Sequence, residues 1–320
     1  MPKGIDAMQD DLVDPDIRRF VDAIAAAYAG QGVPAGIAAR RRIAEEVRRP
    51  WSKGGPVMAE SIDLDMGGVR LRLHRPVPDV TLPVMLYIHG GGWVLFSVET
   101  HDRLMREYAA RAGIAVIGID YSLAPENKFP VALEECAAAL DWIGAHAAAL
   151  NLDARRILIG GDSAGANLSV ATCLLQRQRG RPLPQAMVLN YGAFAPEPLP
   201  SYARFGGEGF SLEVDEMDAF WADYVDEAGQ LADPLVAPMR ADLTGLPPAF
   251  LAIAECDILA DCNHAFGKAL AAAHVPVEAV TYCGATHSFL EAVSIAPLAE
   301  RAFDEQAAWI ARTIGHDHAL

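Results

Sequence analysis

From Pro83 onward the chain repeats one pattern, a short unbroken apolar run followed by a segment of helical character. The runs are PVMLYIHG, GIAVIGIDY, RRILIGG, QAMVLNYG and PPAFLAIAE, and an alternating stretch, VPVEAVTY, comes after them. A strand with one face in water alternates apolar and polar residues, so a continuous run marks a strand buried on both faces. Such strands belong to a parallel sheet wrapped by helices, which gives an α/β fold class. Ala-rich segments such as VALEECAAALDWIGAHAAAL and the final LAERAFDEQAAWIARTI supply the helices. With 320 residues, 52% of them hydrophobic, the chain has enough material for one large domain of this kind or two smaller ones.

Two regions stand outside the rhythm. Ile17, Phe20, Ile24 and Tyr28 recur at spacings of three and four, which predicts a helix, and a second helix runs through AGIAARRRIAEEVRR to Pro50. AESIDLDM and GVRLRLHRP, separated by Gly67 and Gly68, then read as an antiparallel hairpin. Residues 193–247 hold many prolines and glycines around an aromatic helix, LEVDEMDAFWADYVDEAG. That is too long for a simple connection, and loops of this size are usually functional. The expected organisation is an N-terminal helical cap segment at 1–50 and an α/β sheet domain at 51–320 that carries a cap insertion at about 193–247. There are no internal repeats and no low-complexity tract.

Charge and cysteine usage narrow the partners. Asp and Glu number 42 against 26 Lys and Arg, a formal charge of −16. A surface that negative repels nucleic-acid phosphates and anionic lipids, so neither is expected as a partner. No apolar run reaches the roughly 18 residues of a membrane span. The opening MPKGIDAMQDDLVDPDIRRF has no apolar stretch long enough for a signal peptide. Five cysteines without a C-x-x-C pair fit free thiols in a reducing compartment, so a cytoplasmic location is expected. No H-x-x-x-H or Cys/His cluster has ligand spacing, so neither a metal nor a cofactor is expected.

The chemistry concentrates after the strands. ILIGGDSAGANLSVATCLL places Ser163 between Gly161 and Gly165, after a strand and before a helix. In G-x-S-x-G the serine sits on a tight turn that a side chain at either glycine would crowd, and the turn lifts the hydroxyl to the positive end of a helix. A serine hydroxyl needs a base, and the base an orienting acid. His287 follows a strand, in THSF. Among the other histidines, His74 lies in a hairpin strand, His146 and His264 in helices, and His316 and His318 in the C-terminal end. Asp257 follows the preceding strand in AECDILAD, with Glu255 and Asp261 as rivals for the acid.

The glycines of HGGGW at 89–93 then acquire a purpose. Attack on an ester carbonyl creates an oxyanion that needs preorganised N–H donors, and glycines approach a ligand without Cβ interference. The amide of Ala164, directly after the serine, is a further donor. A phosphate loop fits less well, since GGGWVLF lacks the lysine of a P-loop and the spacing of a dinucleotide turn. Trp93, large and beside the loop, is expected at the substrate pocket.

HGGGW (89–93), DYSLAPENKFPVALEE (120–135), GDSAGAN (161–167), AECDILAD (254–261) and THSF (286–289) resemble, in order and spacing, the bacterial hormone-sensitive-lipase-like esterases of the GDSAG branch. The resemblance implies an α/β-hydrolase fold with an eight-stranded, mostly parallel sheet flanked by helices and covered by a helical cap. It also implies Ser163 as nucleophile, His287 as base and Asp257 as its orienter. Gly91, Gly92 and Ala164 would be the oxyanion donors, and His89 a brace for the glycine loop. The chain departs from the family pattern at Ser122, Ile258 and Ser288, and LNYGAF (189–194) stands where the family has Y-P after the sixth strand. The function expected is hydrolysis of short-chain carboxylic esters through an acyl-enzyme, with a small-molecule ester as partner. Hydrolysis of lactones, amides or xenobiotic esters by the same residues is an alternative, and a non-catalytic ligand-binding protein on this fold is a further one. A monomer is expected, or a homodimer through an edge strand such as VPVEAVTY.

Overall fold

The structure is a computed structural model that describes residues 12–315. Residues 1–11, part of the N-terminal segment and of the stretch read for a leader, lie outside the described residues, as do His316 and His318. Eight strands make one sheet: β1 (Glu60–Met66), β2 (Val69–Arg75), β3 (Leu82–Ile88), β4 (Ala115–Ile119), β5 (Leu152–Asp162), β6 (Met187–Asn190), β7 (Ala249–Cys256) and β8 (Val277–Thr286). Their order is β1-β2-β4-β3-β5-β6-β7-β8. β2 runs antiparallel to both of its neighbours, whereas β4, β3, β5, β6, β7 and β8 are mutually parallel.

Every residue of β3, β4 and β6 is buried, which is the physical counterpart of their unbroken apolar runs. Helices α3 (Asp102–Ala112), α4 (Val131–His146), α5 (Ala164–Gln178), α8 (Ala260–Ala272) and α9 (Pro297–Ile314) cover the sheet. The strand limits differ from the apolar runs at two places. β5 begins at Leu152, within polar LDARR, because a register irregularity between Leu82 and Val84 lets Leu82 pair with Leu152. β8 continues past VPVEAVTY through Gly284, whose φ is +80°, and ends on Thr286. β8 is an edge strand of the sheet.

Two segments lie outside this framework. α1 (Pro15–Ala29) begins at Asp14, whose carboxylate accepts from the amides of Asp16 and Ile17 at 2.9 and 3.2 Å. Its stripe of Ile17, Phe20, Val21 and Ile24 is buried. α2 (Ile37–Arg48) buries Ile43, Ala44, Val47 and Arg48. After β6 come α6 (Pro200–Phe205) and α7 (Val214–Tyr224). Arg40 of α2 pairs with Glu216 of α7 at 3.2 Å, and its guanidinium lies 4.9 Å from the ring centre of Phe220. The N-terminal segment and the insertion therefore touch each other. Among the described residues no helix is long and apolar enough to cross a membrane, and all five cysteines are free.

Candidate active site

β5 ends on Asp162 and α5 starts on Ala164, so Ser163 alone makes the turn between them. Its φ of 54° and ψ of −118° lie in a region that side-chain-bearing residues avoid, at a cost of about 1–3 kcal/mol. Neighbouring bonds hold it there: the Ser163 amide donates to the carbonyl of Asn190 at 2.9 Å, and the Ser163 carbonyl accepts from the Asn167 amide at 3.1 Å. A Cβ at Gly161 or Gly165 would collide with the carbonyl oxygen of Ile88, so the turn lies directly on β3 only because both flanking positions are glycine.

Strand register brings the other two residues to it. Cys256 at the end of β7 pairs with Thr286 at the end of β8, so the residues that follow, Asp257 and His287, emerge side by side. His287 Nδ1 lies 2.7 Å from Asp257 Oδ2, and His287 Nε2 lies 3.0 Å from Ser163 Oγ. The second oxygen of Asp257 accepts from the Leu259 amide at 2.9 Å, which fixes the carboxylate plane. The rivals are engaged elsewhere. Glu255 accepts from the Gly284 amide at 2.9 Å and Asp261 from the Ser201 amide at 2.8 Å. All three members of the array are buried, with Asp257 only 1% exposed. Burial alone would depress the His287 imidazole, but the charge and hydrogen bond of Asp257 outweigh it and raise its pKa above 6.5.

The glycine loop sits beside this array. Gly91 and Gly92 have φ of 103° and 60°, and the Gly91 carbonyl accepts from the amides of Val94 and Leu95 at 3.0 and 2.9 Å. Among the described residues the amides of Gly91, Gly92 and Ala164 have no protein acceptor. His89 stacks on Tyr121 with ring centres 4.3 Å apart, and its Nδ1 is 2.8 Å from the Gly90 carbonyl. Burial and the neighbouring His101 charge push His89 down to about 4, so it is neutral near pH 7 and Nδ1–H donates to Gly90.

Asp162, the residue just before Ser163, was given no role from the sequence. It accepts from the Tyr87 hydroxyl at 2.8 Å and the Gly90 amide at 3.2 Å, and lies 3.4 Å from His101 Nε2. Despite complete burial, its pKa is lowered by the charge of His101 and the bonds from His101 and Tyr87. It joins the serine turn to the glycine loop. The only signal for it was its place inside GDSAG.

Trp93 is corrected. Its indole is fully buried, stacks on Tyr224 with ring centres 4.3 Å apart, and packs on Trp221 at 4.5 Å. It does not line the cavity over Ser163; it packs the glycine loop against α7. Phe220, from the same aromatic helix, lines the cavity instead, and a Cβ at Gly92 would collide with its ring. The cavity measures about 480 Å³ and also takes in Gly91, Gly92, Ser163 and His287. Its remaining walls come largely from the two outlying segments, including Val21, Ile24 and Tyr28 of α1, Arg48 of α2 and Met217 of α7. Arg48 is buried and bonds Glu291 at 3.2 Å.

Of the departures at Ser122, Ile258 and Ser288, only Ser288 borders the cavity. Ser122 donates through its amide and hydroxyl to Glu135 at 2.6 and 2.7 Å, and Ile258 is fully buried. Among the described residues no group of three or more His, Cys, Asp and Glu is placed to hold a metal ion.

A strand–serine–helix turn, an imidazole between serine and carboxylate, and a glycine loop on a mostly parallel sheet define an α/β hydrolase. A family model described as alpha/beta hydrolase fold matches residues 85–291. The chain is 39% identical over 232 residues to carboxylesterase NlhH of Mycobacterium tuberculosis, covering 71% of this chain and 72% of that protein. It is 34% identical over 268 residues to an acetyl esterase of Salmonella schwarzengrund, covering 81% and 82%. The solved structure of ester-hydrolase EH1AB1 from the metagenome of Lake Arreo superposes with a TM-score of 0.88 at 33% identity, covering 95% of this chain and 99% of that one. The chain belongs to the α/β-hydrolase-fold family, among its hormone-sensitive-lipase-like esterases.

Proposed function

We propose that this carboxylic ester hydrolase cleaves short-chain esters through an acyl-enzyme formed on Ser163. The observation that carries the reading is the continuous line from Ser163 Oγ through His287 to Asp257, at 3.0 and 2.7 Å. His287 Nε2 takes the proton of Ser163 as Oγ attacks the ester carbonyl. The carbonyl oxygen becomes an alkoxide held by the amides of Gly91, Gly92 and Ala164, which no other group among the described residues competes for. Collapse expels the alcohol, which receives the proton from His287. Water, deprotonated by the same nitrogen, then attacks the acyl carbon, and collapse breaks the bond to Ser163 Oγ, which takes the proton back from His287 as the acid leaves. Asp257 holds the imidazole with its proton on Nδ1 throughout.

In this reading α1, α2 and the insertion at about 193–247 form the cap, since the walls they supply close the site over the serine. A cavity of about 480 Å³ lies within the range of small-molecule sites, roughly 300–1,000 Å³. It must take both the acyl and the alcohol halves, which limits the acyl chain. Across p-nitrophenyl esters from acetate to laurate, kcat/KM should peak at butyrate or shorter and fall steeply by octanoate. A maximum at laurate would overturn the short-chain assignment.

The base must be neutral to act, so protonating His287 removes activity. Its raised pKa therefore places the acid limb of kcat/KM above pH 6.5, with the rate falling as the pH drops through it. A pH profile on p-nitrophenyl butyrate measures the midpoint. A limb well below 6.5 would contradict the role given to Asp257.

A further inference from the structure

α2 carries RRR at 40–42, and its middle member points inward onto main-chain carbonyls. Arg41 Nε–H donates to the carbonyl of Val94 at 2.8 Å and Nη2–H to the carbonyl of Ala124 at 2.7 Å. Glu126 holds the far side of the guanidinium, at 3.0 and 2.6 Å. One turn further along α2, Glu45 accepts from the Ser97 hydroxyl at 2.8 Å. The helix is thus fastened to both ends of the segment that leaves the glycine loop.

The bond to Val94 leads into the site. A trans peptide is planar, with its C=O and N–H pointing opposite ways. The Val94 carbonyl and the Leu95 N–H are the two ends of one such unit, and that N–H donates to the Gly91 carbonyl at 2.9 Å. The Gly91 carbonyl and the Gly92 N–H are the two ends of the next. Two peptide units therefore run from the Arg41 guanidinium to the Gly92 amide at the cavity. A second donor reaches the same oxygen, through peptide units that the Arg41 guanidinium does not hold. The Ala124 amide donates to the Trp93 carbonyl at 2.9 Å, and the Val94 N–H of that peptide donates to Gly91 at 3.0 Å.

We propose that Arg41 is a positioning residue for the oxyanion loop, acting on the Gly92 amide through these two peptide units. The proposal rests on the ester-hydrolase reading above. It has a geometric and an electrostatic part. Glycine is the residue whose backbone is least restrained by itself, and Gly91 and Gly92 both stand at positive φ, so bonds to the Gly91 carbonyl must set the plane of the peptide between them. Hydrogen bonds in a chain polarise one another, and a cation at the head of this one makes the terminal N–H a better donor to an alkoxide. Neither effect acts on the neutral ester as strongly as on the oxyanion, so the loss should fall on kcat rather than KM.

The test compares wild type with Arg41→Lys, Arg41→Met and Glu126→Gln, using p-nitrophenyl butyrate, with active sites counted by fluorophosphonate titration. A trifluoromethyl ketone, which adds reversibly to the serine as an oxyanionic hemiketal, probes the loop directly. kcat per titrated site should fall about 100-fold in Arg41→Met and about 10-fold in Arg41→Lys, with KM within about twofold. Affinity for the ketone should fall in parallel, and the Gly92 amide proton should move upfield in the NMR spectrum of the free enzyme. Glu126→Gln, which keeps the arginine, should lie closer to wild type. A lower Tm with unchanged kcat per titrated site would mean that Arg41 only holds the cap, and a rise in KM at constant kcat would make it a binding residue. Either result overturns the proposal. Wild type that neither turns over nor is labelled would instead overturn the ester-hydrolase reading, and the role of Arg41 with it.

Discussion

Ser163→Ala should lower kcat for p-nitrophenyl butyrate by about a million-fold while leaving the protein folded. The hydroxyl is the only group removed, and among the described residues its one hydrogen bond is to His287 Nε2 at 3.0 Å. No cavity opens in the core, because Ser163 faces the cavity already present over the turn. The backbone at φ 54° stays as strained for alanine as for serine, so Tm should move by no more than a few degrees. What disappears is the nucleophile, and with it the acyl-enzyme. Residual turnover would come from water attacking an ester whose developing oxyanion the Gly91, Gly92 and Ala164 amides hold. The variant should also fail to react with a fluorophosphonate, which should label wild type at this residue. Comparable rates for the two proteins, at equal Tm, would sink the acyl-enzyme mechanism.

The parts legible in the sequence were those in which local spacing sets geometry. G-x-S-x-G is readable because both glycines answer one constraint, the approach of the turn to the Ile88 carbonyl. Asp257 and His287 were readable from chain order and from their places just after strands. The register that sets them side by side, Cys256 opposite Thr286, is a long-range fact with no local trace. β8 was read short for a related reason. Its last residues follow the polar and glycine-containing stretch around Cys283 and Gly284, which an alternation pattern does not reward.

The contacts made across the chain were not legible. Trp93 shows why: a tryptophan after a glycine loop has the same spacing whether it faces a ligand or a neighbouring helix. Here the rings of Tyr224 and Trp221 occupy its faces. Phe220, in the same helix, takes the place facing the cavity, and the difference between positions 220 and 221 is the 100° turn between successive residues of a helix. Arg41 is a second case. Three arginines in succession read as a solvated face, and nothing local marks the one whose guanidinium bonds Val94 and Ala124. Asp162 is intermediate, visible as a letter of the motif and obscure in its role until Tyr87, Gly90 and His101 surround it.

Asp257→Asn should cost about ten-thousand-fold in kcat with little change in volume or packing. The direction follows from the two bonds of the carboxylate. Oδ1 accepts from the Leu259 amide and Oδ2 from His287 Nδ1–H, so both sites demand an acceptor. Asparagine has one acceptor and one donor. If its NH2 faced Leu259, two N–H groups would oppose each other in a buried setting, so the oxygen stays there and the NH2 turns to His287. Nδ1 must then accept, which puts the imidazole proton on Nε2, the atom that has to receive the proton of Ser163. The ring stays in place in the wrong tautomer. Loss of the negative charge also removes the strongest influence raising the His287 pKa, so whatever activity remains should show its acid limb at lower pH than wild type. The check is a pH series of kcat/KM for both proteins, with thermal melts to show equal folding. Asp257→Asn retaining more than about a tenth of wild-type kcat would mean that another group orients His287, and the array would have to be reassigned.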